Sequence, residues 1–530
     1  MAKLTPEEIL RLSEPIEKVY SDTVDALLVN MAKHFNSGHS LSTQEWEIRK
    51  LAELGQLNRE SAEIIASLTG QNPELVLAAL ENAVYAATRD TEPELKRAVQ
   101  DGHIAPPDAD NVIASKSISQ ALKAYDAQAL DKLNLVNTTM LESTLEQYRK
   151  VIVNTANIER QMQAAQDILN TQTGRVVTGT AGRTGALRQA LAQIHGEGIT
   201  GFIDRAGRKW SPEAYVNMDI RTTVHNTAIE AVKLRQEDYG VEIFRVSRHS
   251  GARPLCYPYQ GRYFSWDNTS GTFTDGEGKR HRYSPLSSTS YGRPAGLFGI
   301  NCGHHPITVI PGVSIPRDRT EQDKEENDRV YQESQEQRRL EREVRYAKQK
   351  AAMLDAAGDK EGFAKEAARV KQKQADYNAF CKKTGRTKRL DRTQVFEYNK
   401  SVSGKATAAV KREQADERLK KEMLATGALP SKAKIHLKPK SIDISSLSFD
   451  DAHINAERGH GVTEAQAKSF IQNALFSATV WDGKFERYYS RDGTAYVDVK
   501  EQLVRTAFSS SEYDEKTKAL MEAFENAKAR

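Results

Sequence analysis

The sequence predicts a multidomain fold: a mainly α N-terminal region and connector, a small β-containing central module, and an α+β C-terminal domain with an antiparallel meander. Three observations carry that expectation. At 530 residues the chain exceeds what one ordinary core organises, since domains run to roughly 150 residues. Apolar residues recur at three- and four-residue steps through the first part and give way at Val241 to alternation among Gly, Pro, Ser, Tyr and Trp. The last part carries strand-like runs separated by Asp-Gly turns.

The first element, 1–170, is expected to be helical. Thr5-Pro6-Glu7-Glu8 opens a helix with a capping hydroxyl, a first-turn proline and carboxylates at the positive dipole end. Ile9, Leu12, Ile16, Val19, Tyr20, Val24, Leu27 and Leu28 then form one apolar face, and similar patterns fill 45–66, 73–89 and 117–168. In the next element, 171–240, the Gly/Thr-rich run Thr171 to Thr184 reads as a hinge or exposed loop. A helix is expected over Ala186 to His195, and another from Ser211-Pro212-Glu213 towards Asp238. Residues 241–315 begin with a strand at Glu242 to Ser247 and form the β-containing module. Residues 316–440 are a connector: a solvated helix laced with opposite charges from Pro316 to about Lys350, further lysine-rich helix, and a Pro/Ser/Lys linker from Leu429 to Ser446.

In 441–530, Thr463-Glu-Ala-Gln466 is a capping box before a helix with Ala467, Phe470, Ile471 and Ala474 on one face. Strands are expected at Ser477 to Trp481, Phe485 to Tyr489, Thr494 to Val499 and Gln502 to Phe508, before a closing helix.

Composition narrows function. The 76 basic and 72 acidic residues leave a net charge of +4, which excludes a polybasic, histone-like protein. Three cysteines in so long a chain make no disulfide framework and suit a reducing cytosol. Neither a signal pattern nor a run of ~18 apolar residues is present, so a soluble chain without a membrane span is expected.

The central module contains His249-Ser-Gly251-Ala252-Arg253-Pro254, Cys256, Gln260-Gly261-Arg262, Tyr291-Gly292, and Gly296-Leu297-Phe298-Gly299-Ile300-Asn301-Cys302-Gly303-His304. These ordered motifs resemble the phage minor capsid protein 2 family, relatives of the Mu-F-type head morphogenesis proteins, over roughly residues 5–315. The resemblance implies a low-copy head protein near the portal, with portal and capsid proteins as partners. The chemistry of the residues raises a separate expectation: His249, Cys256, Cys302 and His304 offer two nitrogens and two thiolates to a structural zinc ion, although their spacing is no standard finger. The competing reading makes the histidines buried hydrogen-bonding groups and the cysteines small core residues. Arg253 and Gln260 are expected to hold the loops, and Arg221, Thr222 and His225 to pack.

The C-terminal domain resembles the Barnase-EndoU-Colicin-RelE-like nuclease domains, found in polymorphic toxins and appended to phage head proteins, over about 448–528. The segment from His453 to Gly461, Tyr488-Tyr489-Ser490 and Arg505 to Ser509 carry that likeness. Metal-independent RNA cleavage needs a base for the ribose 2′-hydroxyl, an acid for the leaving oxygen and cations for the phosphate. His453 and His460 suit the proton roles, with Arg505, Thr506 and Ser509 completing the catalytic set. Arg458, Arg487 and Tyr488 suit phosphate or RNA binding. No cofactor is expected in this domain. RNA and an immunity protein become its expected partners.

The expected function is therefore a bacteriophage minor capsid protein, made in the host cytoplasm and carried in the virion, with a C-terminal RNase-like toxin domain. The alternative is a purely structural virion protein whose last domain is an inactive nucleic-acid or partner-binding module.

Overall fold

The hydroxyls of Thr5, Ser211 and Thr463 cap helices where the sequence places their starts. The computed structural model describes residues 5–37, 40–89, 91–173, 182–205, 207–315 and 323–529. These fall into two compact units, the first from 5–171 and 182–403 and the second from 404–529.

In the first unit, α1 (Pro6–Lys33) begins where the Thr5 hydroxyl accepts the Glu8 N–H at 3.1 Å. The stretch expected as one helix over 45–66 is two, α2 (Thr43–Ala52) and α3 (Leu54–Thr69), with α2 opened by a Ser42/Glu45 capping box. There follow α4 (Asn72–Thr88), α5 (Glu92–Gln100), α6 (Lys116–Thr173) and α7 (Gly182–Glu197). Of the expected Thr171 to Thr184 loop, residues 174–181 lie outside the described residues, and its two ends belong to α6 and α7. A small ribbon, β1 (Phe202–Ile203) and β2 (Lys209–Trp210), precedes α8 (Pro212–Asp238), which Ser211 caps as expected. Ile16, Tyr20 and Leu27 of α1 meet Leu80 and Val84 of α4 and Val216, Ile220 and Val224 of α8 in one core.

The β-containing module is a five-stranded sheet of β3 (Ile243–Val246), β4 (Tyr263–Ser265), β5 (Gly271–Thr274), β6 (Arg280–Pro285) and β7 (Pro306–Thr308). Its order is β5-β6-β4-β3-β7, with β4 and β6 parallel and the other pairs antiparallel. It belongs to the first unit.

The connector departs most from expectation. Its helices α9 (Lys324–Ala356) and α10 (Lys360–Thr384) pack against each other, and α9 packs on α1. Leu340, Val344, Ala347, Ala351 and Leu354 are all buried, so the charged run is a core helix whose ion pairs occupy its outer face. Asp25 of α1, 1% exposed, anchors this region. It accepts hydrogen bonds from the Gln349 amide at 2.7 Å, the Phe396 N–H at 2.9 Å and Arg345 at 3.3 Å. Burial pushes its carboxyl up, while the Arg345 guanidinium opposes that shift.

Helix α11 (Lys400–Ala425) leads into the second unit. The expected linker Leu429 to Ser446 contains β8 (Lys434–His436), and β9 (Ser448–Phe449) follows it. A π-helical turn Ala452–Glu457 precedes α12 (Glu464–Gln472), which starts at the expected Thr463/Gln466 capping box. Then come β10 (Phe476–Val480), β11 (Phe485–Tyr489), β12 (Gly493–Asp498), β13 (Leu503–Ser509) and α13 (Glu515–Ala529). These strands are the expected antiparallel meander, widened to the order β8-β10-β11-β12-β13-β9, with β9 parallel to β13. Strand alternation gives the sheet two apolar faces. One packs Phe476, Ala478 and Tyr489 against Leu419 and Met423 of α11 and Leu520 and Phe524 of α13. The other packs Tyr488, Val497 and Val504 against Phe470 and Ile471 of α12 and Ile454 of the π-helical turn. Among the described residues, no helix is long and apolar enough to cross a membrane.

Candidate functional site

The antiparallel register of β3 and β7 assembles the central Cys/His cluster. Val246 stands opposite Pro306, and beyond that pair Ser247 N–H bonds the His305 carbonyl at 3.0 Å while the Ser247 hydroxyl accepts the His305 N–H at 3.0 Å. His249 and His304 are thereby brought side by side, with ring centroids 4.3 Å apart. A tight turn, closed by Cys256 N–H to the Arg253 carbonyl at 2.9 Å, brings in Cys256. Its Sγ lies 3.8 Å from Cys302 Sγ, and Cys302 Sγ lies 3.4 Å from His304 Nδ1. Cys256, Cys302 and His304 are 1%, 7% and 1% exposed.

The glycines of the motif permit the chain path leading to Cys302. A β-carbon at Gly296 would collide with the Ser290 carbonyl, and one at Gly299 would lie 2.6 Å from the Pro294 oxygen. Phe298 and Asn301 take left-handed φ values of 60° and 56°, where ordinary side chains are rare. Gln260 and Arg253 hold the loops as expected: Gln260 Oε1 accepts His249 N–H at 2.8 Å, and Arg253 reaches the Gly296 carbonyl at 3.4 Å. Arg221 pairs with Glu17, and the Thr222 hydroxyl bonds the Met218 carbonyl. His225 Nε2 donates to the His304 carbonyl at 2.7 Å.

The four candidate ligands line one cavity of about 270 Å³ with Arg253 and Arg338. Burial and neighbouring His304 hold His249 down to about 4, so its ring is neutral near pH 7. The two thiols share a hydrogen bond that pulls Cys302 well below the usual thiol range and pushes Cys256 up.

In the second unit, carboxylates unseen in the sequence reading tie the candidate residues in two pairs. Asp450 accepts the His453 N–H at 3.1 Å and pairs with Arg505. Glu512 accepts from His460 Nδ1 at 2.8 Å and from the Ser509 N–H at 3.3 Å. His453 Nδ1 in turn bonds Glu457 at 2.7 Å. The loop between the histidines is closed by His460 N–H to the Ile454 carbonyl at 3.1 Å, and Asn455 clamps Val462 through both backbone groups. His460 also lies 5.4 Å from the Phe508 ring on β13, where Thr506 is half-buried.

Arg458 is exposed, but the other two expected RNA-binding residues are not available together. Tyr488 is 2% exposed in the core under α12, which leaves no surface for stacking a base. Arg487, next along β11, points to the opposite face, where its guanidinium sits over Trp481 at 4.9 Å and Tyr496 at 4.4 Å. A further polar cluster was hidden by the linker reading. Glu486, buried beside Ser477 and Thr479, has His436 Nε2 and Lys440 Nζ each 3.9 Å away.

Comparison with known proteins bears on the first unit most. Residues 4–382 match the family model described as phage minor capsid protein 2. A structural protein of Lactococcus phage LL-H is 28% identical over 324 residues, covering 59% of this chain and 79% of that protein. A structural protein of Lactococcus phage mv4 is 33% identical over 93 residues, covering 18% of this chain and 75% of that protein. No solved structure matches the chain.

Proposed function

The chain belongs to the phage minor capsid protein 2 family, and from that membership we propose that it is a structural component of the virion, held near the portal and contacting portal and capsid proteins. The observation that carries this reading is the family match across 4–382, which takes in the α-helical core, the central sheet and the α9–α10 pair. Two phage relatives bearing the description of structural protein support it. Chemical cross-linking of intact purified particles tests the location. Cross-links from residues 1–403 to the portal protein are expected, and cross-links to tail proteins alone would contradict it.

For the second unit we keep the RNase reading, because each histidine meets a carboxylate through Nδ1. That arrangement orients an imidazole and leaves Nε2 for proton transfer. His453 and His460 then share the base and acid roles, with Arg505 and Ser509 at the phosphate and no metal required. Residues 404–530 are expected to cleave RNA and spare DNA, which lacks the attacking hydroxyl. His453→Ala or His460→Ala should each lower cleavage by at least ~10²-fold, within the range of a positioned proton-transfer group. An unaffected rate in both, with loss in His436→Ala, would move the chemistry to the Glu486 cluster. A folded unit that leaves RNA intact at every pH from about 5 to 8 would leave the binding-module reading.

A further inference from the structure

We propose that Cys256, Cys302, His304 and His249 form a structural zinc site in the first unit. Three features of the geometry point to it. Zinc holds thiolates at about 2.3 Å and imidazole at about 2.05 Å in a tetrahedron, which places two sulfurs about 3.8 Å apart and a sulfur and nitrogen about 3.6 Å apart. The observed separations are 3.8 Å for Cys256 to Cys302 and 3.4 Å for Cys302 to His304 Nδ1. The ligand atoms of Cys256, Cys302 and His304 all lie within 4.8 Å of one another, and His249 stands beside that group rather than in it. Two sulfurs at that separation stand well outside the ~2.05 Å of a disulfide.

The tautomer of His249 supplies the second argument. Its Nδ1 lies 3.0 Å from the Ser250 carbonyl, which can only accept, so the ring proton sits on Nδ1. Nε2 then carries a lone pair, is buried, and has no hydrogen-bond partner among the described residues. It faces the backbone of Gly303, between Cys302 and His304, with 3.0 Å to the place a β-carbon would occupy. An N–H donated to a backbone carbonyl is the common outer support of a metal-bound histidine.

His225 provides the third. Its Nε2–H fixes the carbonyl of His304 at 2.7 Å, and the Cys256 and Arg253 side chains both address the Gly296 carbonyl. The ligands are therefore held by α8 and by the glycine-rich loop before any ion arrives. The ion would clasp the Arg253–Cys256 turn to the segment entering β7, stitching the open end of the β3–β7 pair.

The test uses the full chain purified from zinc-replete cells without chelator. About one zinc per chain is expected by mass spectrometry of the metal. Replacement with cobalt should give the intense visible bands of a tetrahedral ion and a thiolate-to-cobalt charge-transfer band. Cys256→Ser should halve that band, while Cys381→Ser, a buried cysteine outside the cluster, should leave it whole. His249→Ala should weaken zinc by more than the ~10–100-fold typical of losing an outer partner. A folded wild-type chain without zinc that gives no charge-transfer band overturns the site, as does recovery of Cys256 and Cys302 as a disulfide. Unchanged zinc affinity in His249→Ala overturns its place as fourth ligand. The cobalt spectrum of the unmutated chain decides the matter even where a variant fails to fold.

Discussion

A fragment of residues 404–530 should fold alone in one cooperative transition, and a fragment of 441–530 should not. The shorter piece keeps the whole meander, α12 and α13, but it loses Leu419, Met423, Leu429 and Ile435 from the core on the α13 face. Burying each such side chain contributes roughly 1.5–3 kcal/mol, so their joint loss is on the order of 6–12 kcal/mol. That matches the entire stability of an ordinary domain, about 5–15 kcal/mol. The cut also removes β8, which pairs His436, Ile435 and Lys434 with Ser477, Ala478 and Thr479. β10 then becomes a bare edge, open to association. Circular dichroism during urea unfolding should show a sigmoidal transition for 404–530 and none for 441–530. Equal midpoints for the two would mean that α11 and β8 are dispensable.

Asp25→Ala should destabilise the first unit by about 3–5 kcal/mol, the cost of removing one member of a buried ion pair. The Gln349 amide and the Phe396 N–H lose their acceptor, and the Arg345 guanidinium loses one of its acceptors. Arg345 retains Glu213 at 2.5 Å, which places the expected loss towards the lower end. Asp25→Asn keeps an acceptor oxygen and gives up a charge that burial already disfavours, so it should cost less than half as much. The urea midpoint should fall with an unchanged slope. A change below about 0.5 kcal/mol in the alanine variant, the scale of an ordinary surface substitution, would show that the connector helices do not depend on this anchor.

Long helices and tight turns were legible in the sequence because their signals are local. Thr5-Pro6, Ser211-Pro212 and Thr463 to Gln466 start helices α1, α8 and α12 through bonds made within a single turn. Asp482-Gly483 lies in the turn from β10 to β11, where Trp481, Asp482 and Gly483 all take positive φ. The packed connector was not legible. Its stripe of Leu340, Val344, Ala347, Ala351 and Leu354 has helical spacing, but alanines and glutamate–arginine pairs mask it. Strands β8 and β9, three and two residues long, are too short for alternation to register. In the candidate sites, the residue types were visible and their partners were not. Asp450 meets Arg505 across 55 positions and Glu512 meets His460 across 52, distances that only the folded sheet closes. Tyr488 looked available because a strand's alternation does not say which face is covered.

Membership of the minor capsid family means that this chain is expected in the phage particle as a minor structural protein. Quantitative mass spectrometry of gradient-purified particles measures this. Peptides from both units, 1–403 and 404–530, are expected at a constant ratio to the major capsid protein and far below it in copy number. Absence of the chain from intact particles, with abundant chain left in the lysate, would contradict it.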